Sequence, residues 1–343
     1  MVEINLALQG GGAHGAFTWG VLDRLLEEDE IEIAAISGTS AGALNGAALK
    51  AGWLQDGRDG ARHNLDWLWG EVARLDDLSV PRWMQAWMPD PGFLSQAIEL
   101  SPAYIWGDAF NRMMSPYAWG PFYRNPLEKI VDQFDFGRVC ADTGPELFIC
   151  ATQVRNGKVR IFQGDAITTQ AILASACLPT LFQAVEVEDP ETGAMEAFWD
   201  GGYTGNPALF PLYARHLPND LIIVNINPLE RDLVPVLPSE IQNRINEISF
   251  NSSLLRELRA IEFVQRLVAS EAVPEGAMKK LRVHMIADDD LMNDLSVATK
   301  TVAVPSIINR LREAGRRAAG DFLSRHGDDL GKRQTADLVE MFG

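Results

Sequence analysis

The chain is poor in cysteine and in basic residues, and each scarcity removes a class of protein. Three cysteines, Cys140, Cys150 and Cys177, form an odd set with neither disulfide-framework nor metal-ligand spacing. A reduced compartment is the simplest setting for them, none has the setting of a nucleophile, and no metal or organic cofactor is implied. Lys and Arg number 30 against 47 Asp and Glu, a formal net charge of −17. A nucleic-acid binder needs a basic face to displace counterions, so no nucleic acid is expected among the partners. The same charge repels anionic lipid except where a local patch reverses it. No apolar run reaches the length of about 18 residues that a membrane span requires, so any membrane contact is expected to be peripheral and the location cytoplasmic. Met1–Leu8 has no basic stretch before its apolar run, which stops at Gln9. It is expected to be the first buried strand rather than a signal peptide.

No internal repeat or low-complexity linker divides the 343 residues, and an apolar fraction of 47% supplies a large core, so a single domain over 1–343 is expected. Strand 3–8, a glycine turn, helix 15–28, strand 33–36 and helix 41–51 alternate in the manner of a parallel sheet with helices on both faces. The expected fold is a three-layer α/β/α arrangement whose ligands bind beyond the strand C-termini. Further strands are expected at 147–152, 159–162 (after the Asn156-Gly157 turn), 184–187, 196–199, 221–226 and 281–286, with helices at 166–176 and 239–271. Between 64 and 124 the pattern changes. Six of the nine tryptophans (Trp67, Trp69, Trp83, Trp87, Trp106, Trp119) and four of the ten methionines gather there among prolines. An irregular, aromatic-rich cap or lid is expected, with Trp83, Trp87, Met88, Trp106 and Met113 as candidate acyl-binding residues; the alternative is a core under long loops. Near the C-terminus, 306–326 reads as an amphipathic helix with arginines at 310, 312, 316, 317 and 325, packed on the domain or docking to a membrane or a partner.

Chemistry is concentrated at two glycine motifs and one aspartate. Gly38-Thr39-Ser40-Ala41-Gly42 is a G-x-S-x-G nucleophile elbow, in which small neighbours permit a sharp strand-to-helix turn beneath an exposed hydroxyl. Gly10-Gly11-Gly12 follows the first strand, and its amides can converge on a developing oxyanion. Asp200-Gly201-Gly202 ends a strand with a carboxylate beside open backbone space; alone it reads as an ordinary turn. The three elements together resemble the patatin-like phospholipase family, whose pattern is Gly-Gly-Gly-x-basic-Gly, then G-x-S-x-G, then Asp-Gly-Gly or Asp-Gly-Ala. Here they stand as Gly10-Gly11-Gly12-Ala13-His14-Gly15, Gly38 to Gly42 and Asp200-Gly201-Gly202, and Glu247–Asn251 and the neighbourhood of Lys300 are similar to long bacterial members. The resemblance implies Ser40 as nucleophile and Asp200 as its only partner. Gly10, Gly11 and Gly12 would form the oxyanion hole, with Gly38, Gly42, His14, Gly15, Gly201 and Gly202 in support. It implies hydrolysis of phospholipid, lysophospholipid or related acyl esters. His14 replaces the family's Arg or Lys, so pH dependence of the loop is expected.

Four other readings stand beside this one. Gly10-x-Gly12-x-x-Gly15 also fits a dinucleotide fingerprint, but the acidic residue expected about 20 positions later is absent. Ser40, Asp200 and His216, His284 or His326 reproduce the chain order of an α/β-hydrolase triad; His216, on a surface helix, and His284, in an apolar strand, read as structural. The same acyl-enzyme could pass its acyl group to an alcohol or thiol rather than to water, or be formed from a thioester. A catalytically silent interaction protein is the last. Asp288-Asp289-Asp290 reads as a solvated turn, and a homo-oligomer is left open.

Overall fold

The computed structural model describes residues 1–75, 115–189, 193–231, 234–236, 238–274, 276–295 and 298–342. Its centre is a sheet ordered β5-β6-β3-β2-β1-β7-β8, with β4 paired to β3. The strands are β1 (Val2–Leu8), β2 (Ile31–Thr39), β3 (Glu146–Gln153), β4 (Val159–Gln163), β5 (Val185–Glu188), β6 (Met195–Asp200), β7 (Asp220–Val224) and β8 (Arg282–Ile286). β3, β2, β1, β7 and β8 run parallel; at one side β4 and β6 pair antiparallel with β3, and β5 pairs antiparallel with β6.

Strand periodicity divides the core into two layers. On β1, Ile4, Leu6 and Leu8 face one cluster while Ala7 faces the other, and on β7 Ile222 and Val224 oppose Leu221 and Ile223. The first layer is covered by α1 (Gly15–Leu25), α2 (Ala41–Leu75), α5 (Thr169–Ser175) and α9 (Pro305–His326). The second is covered by α6 (Pro238–Ala269), through Leu254, Leu258 and Ile261. The shorter helices are α3 (Glu128–Val131), α4 (Phe136–Val139), α7 (Asp289–Asp294) and α8 (Ala298–Thr301). The fold is therefore α/β with helices on both faces of a mostly parallel sheet.

Three expectations need correction. The stretch from 64 to 75 is not irregular cap: α2 continues to Leu75 across a break at Asp56 (φ −150°) and Gly57 (φ 57°). Leu65, Leu68, Trp69 and Val72, three and four residues apart, bury one face of it in the core. Trp69 stacks on Trp19 and Trp67 meets the edge of Phe134. Trp83, Trp87, Met88, Trp106 and Met113 lie outside the described residues. The helix expected at 166–176 begins only at Thr169, because Thr168 is extended and its hydroxyl caps the Ala171 amide. His216 stands on a turn rather than a helix.

α9 packs its apolar stripe inward. Ile307, Ile308, Leu311, Ala314, Ala319 and Phe322 are buried, so that stripe is not a docking surface. Arg312 and Arg316 reach the buried Asp23 of α1, and Arg312 also lies 4.2 Å above the Trp19 ring. Among the described residues no helix is long and apolar enough to cross a membrane.

Candidate active site

Strand register brings the serine and the aspartate to one level of the sheet. Thr39, the last residue of β2, pairs with Cys150 on β3, and the next residue of β3, Ala151, pairs with Asp200. Ser40 follows Thr39 at once and turns the chain into α2 with φ 55°, a left-handed conformation for a residue with a side chain. The turn is held from beneath. The Ser40 amide donates to Ser175 Oγ at 2.9 Å, whose own hydroxyl donates to the Cys150 carbonyl at 2.6 Å, and Thr39 Oγ1 donates to the Gly205 carbonyl at 2.7 Å.

Asp200 is 1% exposed. Its amide donates to the Cys177 carbonyl at 2.7 Å, its carbonyl accepts from Thr152 Oγ1 at 2.8 Å, and its carboxylate accepts from the Gly202 amide at 2.8 Å. Burial pushes the carboxyl up to about 7, while the Gly202 amide bonded to it and the neighbouring Ser40 hydroxyl pull the other way. The two residues that the motifs single out thus stand at one level of the sheet, where the Asp200 carboxyl changes charge near neutrality.

The glycine loop is divided in its use. The Gly10 amide is already donated to Asn206 Oδ1 at 2.7 Å, and Asn206 Nδ2 returns a bond to the Gly10 carbonyl at 3.3 Å. The Gly10 amide, expected among the oxyanion donors, is thus engaged by Asn206 and anchors the loop. A Cβ on Gly10 would stand 2.6 Å from Ser40 Cβ, and one on Gly12, at φ 59°, would run into the Lys300 carbonyl. Gly15, Gly38, Gly42, Gly201 and Gly202 sit at close crossings, Gly42 against the Leu8 carbonyl and Gly202 against the Phe250 ring.

His14 corrects an expectation. It is 1% exposed, with Nε2 2.8 Å from Thr299 Oγ1. Burial first, then the charges of Lys300 and Arg231, hold its pKa well below the usual histidine value against the opposing pull of Glu247. The ring stays neutral around pH 7 and does not act as a pH switch there.

His216, His284 and His326, and the thiols, are engaged elsewhere. His216 Nε2 pairs with Glu146 Oε1 at 2.6 Å, and His284 Nε2 with Asp220 Oδ1 at 3.1 Å. Glu146 and Asp220 begin β3 and β7, at the sheet edge opposite the elbow. His326 pairs with Asp329 at 3.2 Å. Burial pushes the Cys150 and Cys177 thiols up to about 12, so both are protonated and unreactive near neutral pH. Asp288 caps α7 through the Leu291 amide. Among the described residues no cluster of acids, histidines or cysteines is arranged to hold a metal.

Asn206, Ser175 and Asn227, whose Nδ2 donates to the Gly10 carbonyl at 2.7 Å, were not foreseen from the sequence. Lone polar residues in turns or small-residue helices carry no motif, and these meet their partners only through tertiary contact.

The pattern of the patatin-like phospholipases matches residues 6–213, which contain the glycine loop, the elbow and the aspartate turn. The chain belongs to that family. Patatin-like phospholipases are lipid acyl hydrolases, so this chain is an ester hydrolase at family level. No curated protein sequence matches it. Among solved structures it is similar to VipD from Legionella pneumophila, at 15% identity and TM-score 0.43, covering 94% of this chain and 67% of that one. It is also similar to the type III effector ExoU, at 15% identity and TM-score 0.33, covering 94% of this chain and 53% of that one. In the ExoU–SpcU complex of Pseudomonas aeruginosa the corresponding figures are 16%, 0.29, 98% and 64%.

Proposed function

We propose that this patatin-like protein hydrolyses carboxylic esters of phospholipids, lysophospholipids or related acyl lipids through a Ser40–Asp200 dyad. The observation that carries the reading is the buried Asp200 carboxyl, raised to about 7 at the same level of the sheet as Ser40, whose hydroxyl pulls it back towards the ionised form. Asp200 takes the Ser40 proton as Oγ bonds to the ester carbonyl carbon, and the carbonyl oxygen becomes negative. The Gly11 and Gly12 amides receive that oxygen; losing one such donor typically costs about 3 kcal/mol of transition-state stabilisation. Collapse breaks the ester bond, and the departing alcohol takes the proton from Asp200. A water then gives its proton to Asp200 and attacks the acyl carbon; release of the fatty acid returns the proton to Ser40. No metal or organic cofactor enters these steps.

Transfer of the acyl group to another alcohol would use the same intermediate and differ only in the second acceptor. A labelled acyl ester offered with water and candidate alcohols separates the two by product. Rapid labelling of Ser40 by a fluorophosphonate is expected; a folded protein that resists it would contradict the nucleophile assignment. The acyl-binding role of Trp83, Trp87, Met88, Trp106 and Met113 is a proposal that rests on composition. Trp83→Ala or Trp87→Ala should lower turnover of long-chain esters more than of short ones, and equal loss across a chain-length series would remove that role.

A further inference from the structure

Behind the glycine loop lies a buried charge cluster that the dyad chemistry does not use. Glu247 on α6 is 1% exposed and accepts from Lys300 Nζ at 2.8 Å, Arg231 Nη2 at 2.6 Å, Asn243 Nδ2 at 2.8 Å and Arg244 Nη1 at 3.3 Å. Lys300 belongs to α8, which presses on the loop at two points: its carbonyl oxygen occupies the space beside Gly12, and its neighbour Thr299 holds His14. Lys300 Nζ also reaches Asn227 Oδ1 at 3.5 Å, and Asn227 Nδ2 holds the Gly10 carbonyl. From the same helix as Glu247, Asn251 donates to the Pro228 carbonyl at 3.0 Å and accepts from Gln9 Nε2 at 3.4 Å, while the Phe250 ring covers Gly202 beside Asp200. One helix thus grips both the donor loop and the aspartate turn.

A buried ion pair contributes little net stability compared with apolar residues of similar size, so its value lies in fixed geometry. The geometry here bears on the Gly11 and Gly12 amides, whose work falls in the transition state. We propose that the Glu247–Lys300 pair is a positioning unit for the hydrolysis: it locks α8 and Asn227 against the loop, so that the Gly11 and Gly12 amides stand ready for the oxyanion. Neither residue touches the reacting atoms. The proposal rests on the hydrolase reading above.

The test measures kcat and KM for ester hydrolysis by the full chain. The variants are Glu247→Gln/Lys300→Met, which removes both charges together, Thr299→Val, Thr299→Ser, and Asp23→Asn as a destabilised control remote from the loop. Each is assayed at the same interval below its own Tm. The double variant should lose on the order of 100-fold in kcat with KM held within about twofold, as expected when catalytic donors shift by about an ångström. Thr299→Val, which deletes the hydroxyl facing His14, should lose about tenfold in kcat, Thr299→Ser should stay near wild type, and Asp23→Asn should keep its kcat. A folded double variant with kcat within about threefold of wild type would overturn the proposal, as would an equal loss in Asp23→Asn. If the double variant does not fold, the Thr299 pair decides: equal kcat in Val and Ser overturns the proposal, and loss in Val alone supports it. Absence of ester hydrolysis in the wild type would instead remove the hydrolase reading.

Discussion

Ser40 and Asp200 each occupy a state that a residue free in water would avoid. A left-handed serine at φ 55° carries strain of about 1–3 kcal/mol, held by the Ser175 and Thr39 hydrogen bonds around it. Asp200, raised to about 7 by burial, changes charge near neutrality, where the proposed general base is most effective. The ester kcat/KM should therefore climb as Asp200 loses its proton, pass half its maximum near that value and level above it. A flat profile from about pH 5 to about pH 9 would contradict this. Stability runs the opposite way. The folded pKa lies above the unfolded value of about 3.9, so the stabilising contribution of protonated Asp200 is complete below that pH and is lost as pH rises through about 7. Asp200→Asn should accordingly raise Tm at about pH 8, with a gain that shrinks towards about pH 4. His14, buried and neutral, adds no inflection near pH 7.

At the scale of elements, the strands were legible because fully buried runs such as Leu221–Val224 and Leu147–Cys150 are continuous apolar stretches between polar turns. The elbow and loop were legible because close backbone crossings demand glycine at fixed offsets, a demand written directly into the sequence. The second half of α2 was hidden by its tryptophans, which group by composition with the proline-broken stretch after it although Leu65, Leu68, Trp69 and Val72 keep helical spacing. The clamps on the loop could not be read, because Asn206 and Gly10 are 196 positions apart and their bond exists only once the sheet has formed. The break inside α2 offers a clean check. Gly57 sits at φ 57°, ψ −138°, with nothing within 4 Å of where a Cβ would lie. Gly57→Ala should then cost about 1–3 kcal/mol in denaturant unfolding, through backbone conformation alone, and leave kcat unchanged. No loss of stability would show that the break needs no glycine.

For the molecule as a whole, the C-terminal helix closes the first helical layer rather than presenting an apolar face to a partner. Its tie to the start of the chain is Asp23, 2% exposed, which accepts from Arg62, Arg312 and Arg316. Burial works against the ionised form of that carboxyl, but the Arg62 and Arg316 guanidinium groups hold it below its ordinary range. Asp23→Ala removes the buried acid the three arginines share, leaving Arg62 and Arg316 the more exposed Glu27, and should cost about 3–5 kcal/mol in denaturant unfolding. A change below about 1 kcal/mol would mean that α1 and α9 are held by apolar packing alone. The net charge of −17 was legible as an argument against nucleic acid, whereas the local gathering of arginines near 306–326 was not legible as an internal tie. Which carboxylates meet those arginines is decided by the approach of α9 to α1, almost 300 positions earlier.

The most direct test of the account is ester hydrolysis by wild type, Ser40→Ala and Asp200→Asn, each shown to be folded, with His284→Ala as a histidine control. The account predicts loss of kcat/KM on the order of 10⁴-fold in the first two variants and most activity kept in the third. An active Asp200→Asn enzyme beside an inactive, well-folded His284→Ala would contradict it.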